Sequence, residues 1–457
     1  MLKKVFTFAA LLLPLYCHAD LFQAIKAYKS QNYVEAKAEF EQLVDSGNSG
    51  AAYFLALMAL HTEAEQQDLV RAYAYFSLAV HLGEQSALND IHRLEAELSE
   101  SQKQQAADLY HQLQKHSLPG YTANEFEQPA WDNVRQRLKT VAPQYPLTLA
   151  RKGLPGFTKS RFVVDKAGNV VYVKTIYSVP EDSSFAKVTE NALMEWKFGQ
   201  ASDISIHKIQ IDFGITVAGK DFPHLEKERK SSMVKALAES DWKAAFAGRA
   251  VSQLNTATLL SYLMNERNFY AVSGAAVVTP PTMADIDSIA YVKPGQGRKM
   301  PAFPGKALVQ VNADQKIEKI ESNLTPLPLA KGQSLPDLEP RYYRISPFNL
   351  HHGTQKPPMF AEDQMYLEAL IAVPAEWTPT FWLDQAARNG VLAAQRARAL
   401  DQPYWSEYLK RKNDADALGW YAIELLSENK LAEAKIALAT AKNVGFKSTR
   451  ALDALFQ

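Results

Sequence analysis

The chain has 457 residues, so at about 150 residues per domain it is expected to form several folded units. Hydrophobic residues make up 47% and charged residues 22%, a composition that excludes a collagen-like chain, a fully disordered chain and a membrane protein with several spans. Fifty Lys and Arg balance fifty Asp and Glu, so the chain has no net positive field for a polyanion and nucleic acid is not expected as its partner.

Residues 1–19 have the pattern of a cleavable export signal. Two lysines precede an apolar run from Val5 to Tyr16, which is shorter than the roughly 20 residues that a membrane-spanning helix needs. Residues 17–19 suit a cut before Asp20. The alternative, lipid attachment at Cys17, is disfavoured by the bulky side chain before it. We therefore expect export to a bacterial periplasm and no transmembrane helix in the mature chain.

Residues 20–118 show an internal similarity at an offset of 36 residues. The matching pairs are Ala36 and Ala72, Phe40 and Phe76, Gly47 and Gly83, and Ala51 and Ala87. Their spacing predicts stacked helix pairs in which each glycine ends a helix. The pattern resembles the Sel-one-like branch of the tetratricopeptide superfamily, which implies a protein-binding role.

Residues 140–217 change to a β-rich pattern. A short helix is predicted over 147–152, followed by a hairpin of strands at 162–165 and 170–176. A further helix over 183–196 and a third strand over 204–213 complete the unit. The apolar alternation of the last strand changes phase near His207, which predicts a bulge there.

This stretch resembles the C-terminal domain of TonB-type energy transducers. The residues that carry the resemblance are Tyr145, Pro146, Gly153, Gly156, Phe162, Asp165, Gly168, Phe185 and Trp196. The resemblance implies a two-layer α/β fold whose exposed sheet edge accepts an extended peptide. A transducer also needs a retained membrane helix and a proline-rich arm, whereas this chain has a cleavable signal and helical repeats in their place. We therefore expect a docking domain rather than a transducer.

The last strand is the expected peptide-binding edge, because an unpaired strand presents backbone groups that a partner strand can satisfy. Its apolar residues are Ile204, Ile206, Ile209, Ile211 and Phe213. Two alternatives stay open, namely an edge that the chain closes itself and an edge that pairs with a second copy.

The remaining sequence divides into three segments. Residues 228–272 have helical spacing, and residues 275–375 are irregular, with a hairpin predicted from 307–311 and 316–320. Residues 376–457 resemble further helix pairs of tetratricopeptide type. The helices at the two ends could join in one array or form separate caps, and the last segment could also be an unrelated bundle.

The sequence contains no recognisable catalytic or metal-binding motif. The chain has one cysteine and lacks the nucleophile elbow, the paired-histidine zinc helix and the phosphate loop. Adjacent His351 and His352 point to opposite faces of an extended chain, so a shared metal is not expected. No catalytic residue, cofactor or metal ligand is therefore predicted.

The sequence as a whole predicts a multidomain α+β protein in which helical repeats flank a small two-layer TonB-like module and a mixed insertion. The expected function is a non-enzymatic periplasmic adaptor whose partners are periplasmic or outer-membrane proteins or peptides. One alternative is an auxiliary component of TonB-dependent transport across the outer membrane. Another is a hydrolase of envelope polymers with its site in 275–375.

Overall fold

The computed structural model describes residues 20–61, 67–121, 135–151, 156–179, 181, 183–213, 242–264, 307–320, 331–332, 334, 340, 342–348, 367–372 and 378–457. The predicted export signal, Gly153, His351, His352 and much of 275–375 lie outside these residues. The chain has a mixed α+β fold with helices toward both ends, which confirms the expected fold class.

The N-terminal helices pack around small and aromatic side chains. They are α1 (Leu21–Lys29), α2 (Tyr33–Asp45), α3 (Ser49–His61), α4 (Leu69–His81), α5 (Leu88–Glu97) and α6 (Glu100–His116). Ala36 and Ala72 are fully buried, so neighbouring helices approach closely. The rings of Phe40 and Phe54 stack at 5.2 Å between centroids. The 36-residue offset thus relates buried positions of α2 and α4.

Eight of the described helix ends share one cap. The residue after the last turn has a positive φ, its amide donates three residues back, and the next amide donates five residues back, as in a Schellman motif. The cap residues are Gln31, Gly47, Gly83, Gly248, Gly390, Asn413, Asn429 and Gly445. The predicted helix ends at Gly47 and Gly83 are therefore confirmed, whereas membership of a repeat family stays a prediction.

The later helices join the N-terminal ones in one body. They are α9 (Trp242–Phe246), α10 (Ala250–Met264), α11 (Pro379–Arg388), α12 (Leu392–Arg398), α13 (Pro403–Arg411), α14 (Ala415–Ser427), α15 (Leu431–Asn443) and α16 (Arg450–Ala454). The Leu21 amide donates to Asn389 Oδ1 at 2.7 Å, and Asn389 Nδ2 donates to the Gly248 carbonyl. Arg388 Nη1 donates to the Gly47 carbonyl at 3.0 Å. The two ends are therefore joined rather than separate caps.

A buried ion cluster lies at this junction. Asp384 is fully buried and accepts from Arg388 Nε at 2.5 Å and from Arg398 Nε at 2.9 Å. Although burial alone would raise the pKa of Asp384, the two guanidinium groups hold that pKa below its ordinary value. The carboxylate thus remains charged between two buried cations.

The β-rich unit forms an antiparallel three-stranded sheet. Its elements are β1 (Arg137–Lys139), α7 (Leu147–Arg151), β2 (Gly156–Val164), β3 (Val170–Val179), α8 (Ser183–Met194), β4 (Lys197–Phe198) and β5 (Ser205–Phe213). The strand order is β3–β2–β5, with β1 and β4 paired separately. The hairpin and the short helix predicted from the sequence are confirmed.

The sheet is covered on both faces. Its inner face packs Phe162 and Val164 against Leu193 of α8. Its outer face packs Tyr172 against Trp420 and Phe446 of the C-terminal helices, with ring centroids 5.5 and 5.6 Å apart. The two-layer expectation is therefore incomplete, because helices distant in sequence add a third layer.

The predicted bulge near His207 is wrong. The β2–β5 register runs from Gly156 opposite Phe213 to Val164 opposite Ser205 without a shift. The apolar residues change phase because both faces are covered, with Ile204 and Ile206 on the outer face and Ile209 and Ile211 on the inner face. A strand buried on two sides does not keep a single alternation.

A second, four-stranded sheet lies in the insertion. It contains β6 (Ala307–Val311), β7 (Ile317–Ile320), β8 (Tyr342–Phe348) and β9 (Leu367–Ala372), in the order β7–β6–β8–β9. Strands β6 and β7 pair antiparallel across a turn in which Gln315 N–H donates to Asn312 O at 3.0 Å. The hairpin predicted there is confirmed.

Candidate functional site: the β5 edge

The aromatic motif residues build the core of the module. The Tyr145 ring lies 5.5 Å from that of Phe185 and 5.9 Å from that of Phe213. Trp196 Nε1 donates to Val141 O at 2.8 Å, and its ring packs beside Phe162. These residues support the sheet from its inner face and do not form a ligand platform.

The remaining motif residues shape turns and close contacts. Asp165 accepts from the Asn169 amide at 2.7 Å and so closes the β2–β3 turn. Gly168 has a φ of +91°, and a Cβ at this position would overlap the Phe198 carbonyl oxygen. A Cβ at Gly156 would overlap the Val179 carbonyl oxygen. Pro146 precedes α7 and its carbonyl accepts from the Leu149 amide at 3.0 Å. The motif therefore specifies the fold, and function must be sought elsewhere.

The β3 edge of the sheet is capped by side chains. Glu190 Oε1 accepts from the Thr175 amide at 2.7 Å, and Thr449 Oγ1 donates to the Val171 carbonyl at 2.7 Å. Both backbone groups point away from β2, toward the side on which an added strand would otherwise pair with β3. The cap from α8 and from the segment before α16 thus blocks this edge.

The caps also fix which backbone groups of β5 point outward. In an antiparallel sheet the N–H and C=O of one residue face the same neighbour. The backbone N–H and C=O of Thr175 point away from β2. Those of its partner Ser160 therefore point away from β3 and bond with the backbone of Ile209 in β5. Alternation along β5 then directs the backbone groups of Lys208 and Gln210 outward.

The outward groups of β5 are unpaired within the part of the chain that the structure describes. Strand β5 pairs with β2 alone among the described strands. No described backbone or side-chain group bonds the outward N–H and C=O of Lys208, Gln210 or Asp212. The sheet therefore has one capped edge and one edge available for strand addition.

The side chains expected to bind a peptide are committed to the two cores. Ile204 and Ile206 are half-buried against the C-terminal helices. Ile209 and Ile211 are half-buried on the inner face, and Phe213 is buried there. What β5 can offer a guest strand is therefore its backbone and the side chains that the sequence analysis did not single out.

A row of cations crosses the outer face. Lys174, Arg161 and Lys208 lie opposite one another on β3, β2 and β5. Arg161 Nη2 lies 2.8 Å from Glu424 Oε1, and Arg161 Cζ lies 4.2 Å from the centroid of the Trp420 ring. Lys174 lies 3.8 Å from Asp416. The helices of the third layer thus meet two of these cations with carboxylates.

Lys208 differs from the other two cations. Its ammonium donates to the Leu400 carbonyl, and within the described residues no carboxylate lies within ion-pair distance of it. Burial lowers the pKa of Lys208 below its ordinary value, and the neighbouring Arg161 lowers it further. Sequence reasoning missed this residue, because its carbonyl partner Leu400 lies in the distant segment between α12 and α13.

A cavity of about 420 Å³ lies between the outer face and the C-terminal helices. Its lining includes Arg161, Lys208, Leu400, Glu407 and Trp420. The cavity thus combines an aromatic wall with charges of both signs, and Lys208 is the residue of β5 that lines it.

His207 lies on the inner face, beside the edge. Its ring stacks against those of Phe162 and Phe198, with centroids 5.1 and 5.3 Å away. Its Nε2 lies 2.8 Å from Ser205 Oγ. Burial lowers the pKa of His207 to about 4, helped by the charges of Arg135 and Arg137. The imidazole is therefore neutral at pH 7 and acts as a core residue.

The described residues contain no cluster of three or more His, Cys, Asp or Glu side chains arranged to hold a metal ion. None of the described helices combines the length and the apolar character that membrane crossing requires.

Comparison with known proteins gives a weak and partial structural likeness. No protein-family model matches the chain, and no curated protein matches it. A solved structure that resembles it is the solution NMR structure of the TonB C-terminal domain of Pseudomonas aeruginosa, with 19% sequence identity and a TM-score of 0.17. The match covers 20% of this chain and 93% of that chain.

Proposed function

We propose that this protein is a non-enzymatic adaptor that binds an extended segment of a partner protein by adding it as a strand to β5. The observation that carries the proposal is the asymmetry of the sheet. Side chains of Glu190 and Thr449 cap the β3 edge, whereas the outward groups of β5 have no described partner. Strand addition would satisfy those groups with main-chain hydrogen bonds.

The helices at both ends support this role by holding the module in one body. The outer face of the sheet is fixed to the C-terminal helices, which are fixed in turn to α1 and α2. A pre-organised edge binds with less loss of conformational entropy than a mobile one. The helices also provide a separate surface for a second partner, so that two modest sites could act together.

The export pattern of residues 1–19 supports a periplasmic location. The partners would then be periplasmic or outer-membrane proteins or peptides. A more specific form of the proposal is a component of TonB-dependent transport, which the sequence resemblance of residues 140–217 supports.

The test is to select peptides on the full mature chain and challenge them with a blocked edge. Random peptides displayed on phage are enriched on the protein, and their affinities are measured by fluorescence anisotropy. Gln210→Pro removes an outward N–H at an exposed edge position that tolerates proline. Gln210→Thr keeps this N–H and serves as the matched control.

We expect Gln210→Pro to weaken binding about tenfold, since it loses a hydrogen bond and introduces a ring at the contact, and Gln210→Thr to bind as the unaltered chain does. Circular dichroism of both variants checks that the sheet is intact. Failure to enrich any peptide, or equal binding by both variants, would contradict strand addition at β5.

A further inference from the structure

The cation row on the outer face stops at the edge of the sheet. Lys174 and Arg161 each have a carboxylate from the third layer, at 3.8 and 2.8 Å. Lys208, the last of the row, has one neutral carbonyl as its described partner. An ammonium group has three donors, so Lys208 keeps donors that an acceptor could use.

The carboxylates nearest to Lys208 are engaged elsewhere. Asp401 lies 3.6 Å from Lys159 Nζ, and Glu424 pairs with Arg161. Lys410, another cation of the cavity, pairs with Glu407 at 2.6 Å. Asp401 and Glu424 attract the Lys208 ammonium from a longer distance, but within the described residues neither forms a direct ion pair with it. Lys208 is therefore the cation of the row without a carboxylate in direct contact.

A guest strand would place one residue directly opposite Lys208. Directly opposed residues of paired strands have Cβ atoms about 5 Å apart and their side chains lie on the same face. The guest residue would therefore extend the row of Lys174, Arg161 and Lys208 by one position. Its side chain would lie on the outer face of the sheet, beside the cavity that Lys208 lines.

We propose that β5 selects guest segments that carry an acidic side chain opposite Lys208. The inference rests on the proposed function, because it needs a strand paired with β5. A carboxylate there forms a charge-assisted hydrogen bond with the half-buried ammonium of Lys208, whereas a basic side chain would be a fourth cation in the row and would be repelled by Lys208. An uncharged side chain gains neither effect.

The test uses peptides enriched on the full mature chain and their variants at each position, with Glu, Gln or Lys substituted in turn. Anisotropy measures binding to the unaltered chain, to Lys208→Gln and to Lys208→Glu. Glutamine keeps an N–H donor for the Leu400 carbonyl, and circular dichroism of both Lys208 variants checks that the fold is retained. Lys197→Gln is the matched control, since Lys197 is an exposed lysine of the same module that donates to Asn169 Oδ1 at 2.7 Å.

We expect one peptide position at which Glu binds the unaltered chain about fivefold more tightly than Gln. That preference should disappear in Lys208→Gln, reverse toward Lys in Lys208→Glu, and persist in Lys197→Gln. Enriched peptides that depend on the Gln210 amide but show no acidic preference would overturn this inference and leave strand addition standing.

Two other results separate the proposals further. Binding that is indifferent to Gln210→Pro would overturn both. A dimer of the chain in size-exclusion chromatography that Gln210→Pro dissociates would make a second copy the occupant of the edge, and would overturn selection of an acidic guest segment.

Discussion

Gly168 and Gly445 have the same left-handed backbone but different surroundings. Their φ angles are +91° and +106°, and a Cβ at Gly168 would overlap the Phe198 carbonyl oxygen, whereas a Cβ at Gly445 would meet no atom within 4 Å. We expect Gly445→Ala to cost about 1 kcal/mol of unfolding free energy, from the backbone alone. Gly168→Ala should cost at least about 2 kcal/mol more, because the turn must open.

Urea unfolding followed by tryptophan fluorescence measures both variants of this pair. Trp196 lies in the module and reports on the turn beside it. Equal losses for the two substitutions would show that the close approach to Phe198 does not constrain Gly168.

His207 makes the stability of the module depend on pH. Its pKa falls from an ordinary 6.5 to about 4 in the folded chain, so the unfolded chain binds a proton first as the pH drops. The neutral imidazole contributes fully to the free energy of unfolding above pH 6.5. This contribution of about 3 kcal/mol is lost as the pH falls toward 4. Imidazole titration by NMR checks the pKa, and His207→Gln should remove this part of the pH dependence. A titration near pH 6.5 would contradict the buried, neutral imidazole.

Some residues of the module could be identified from the local sequence, and others could not. Gly168 and Asp165 were recognisable because a tight turn constrains neighbouring positions in the chain. Lys208 was not, since its desolvation and its carbonyl partner come from residues almost two hundred positions away. Spacing within one strand contains no information about such contacts.

At the scale of elements, Glu190 determines which edge of the sheet is closed. We expect Glu190→Ala to increase hydrogen exchange of the Thr175 amide about tenfold, because that amide loses its acceptor. Glu195→Ala is the control, since Glu195 lies just after the same helix and is paired loosely, 3.9 Å from Lys139. Amide exchange is read by NMR or by mass spectrometry of short fragments. An unchanged Thr175 amide would mean that the β3 edge is closed by something other than Glu190.

The sequence predicted the strands of the module but not its layers. β-Branched and aromatic residues around a turn indicated β2 and β3, apolar alternation indicated β5, and helical spacing indicated α8. The phase change in β5 was misinterpreted as a bulge because a single buried face was assumed. Tyr172 and Trp420, whose contact creates the second buried face, are far apart in the chain.

At the scale of the whole molecule, three ion pairs involve residues of the junction between the N-terminal and C-terminal helices. Two of them are buried and join Asp384 to Arg388 and to Arg398. The third, between Lys412 Nζ and Asp45 Oδ2 at 3.0 Å, is about half exposed. We expect Asp384→Asn to cost about 3 to 5 kcal/mol, because it leaves two buried cations without a counter-charge.

The matched variant Asp45→Asn should cost less than about 1 kcal/mol, as for an exposed pair. Calorimetric unfolding of the full chain compares the two variants. A small loss for Asp384→Asn would show that the junction does not depend on this cluster.

The union of the two helical ends could not be predicted from sequence. Residues 376–457 were predicted to form helix pairs, but one array and two separate caps would have the same helical spacing. The choice depends on single contacts such as Leu21 with Asn389, which no periodicity records. Since these contacts fix the C-terminal helices that cover the sheet, they also position the cavity beside Lys208.

Hydrogen exchange along β5 of the full chain is the most direct test of whether this edge can pair with another strand. We expect fast exchange of the Lys208, Gln210 and Asp212 amides and slow exchange of the Ile209 and Ile211 amides, and we expect the three fast amides to become protected when a selected peptide binds. Slow exchange of all five amides without peptide would show that the edge is already occupied, which would contradict strand addition at β5.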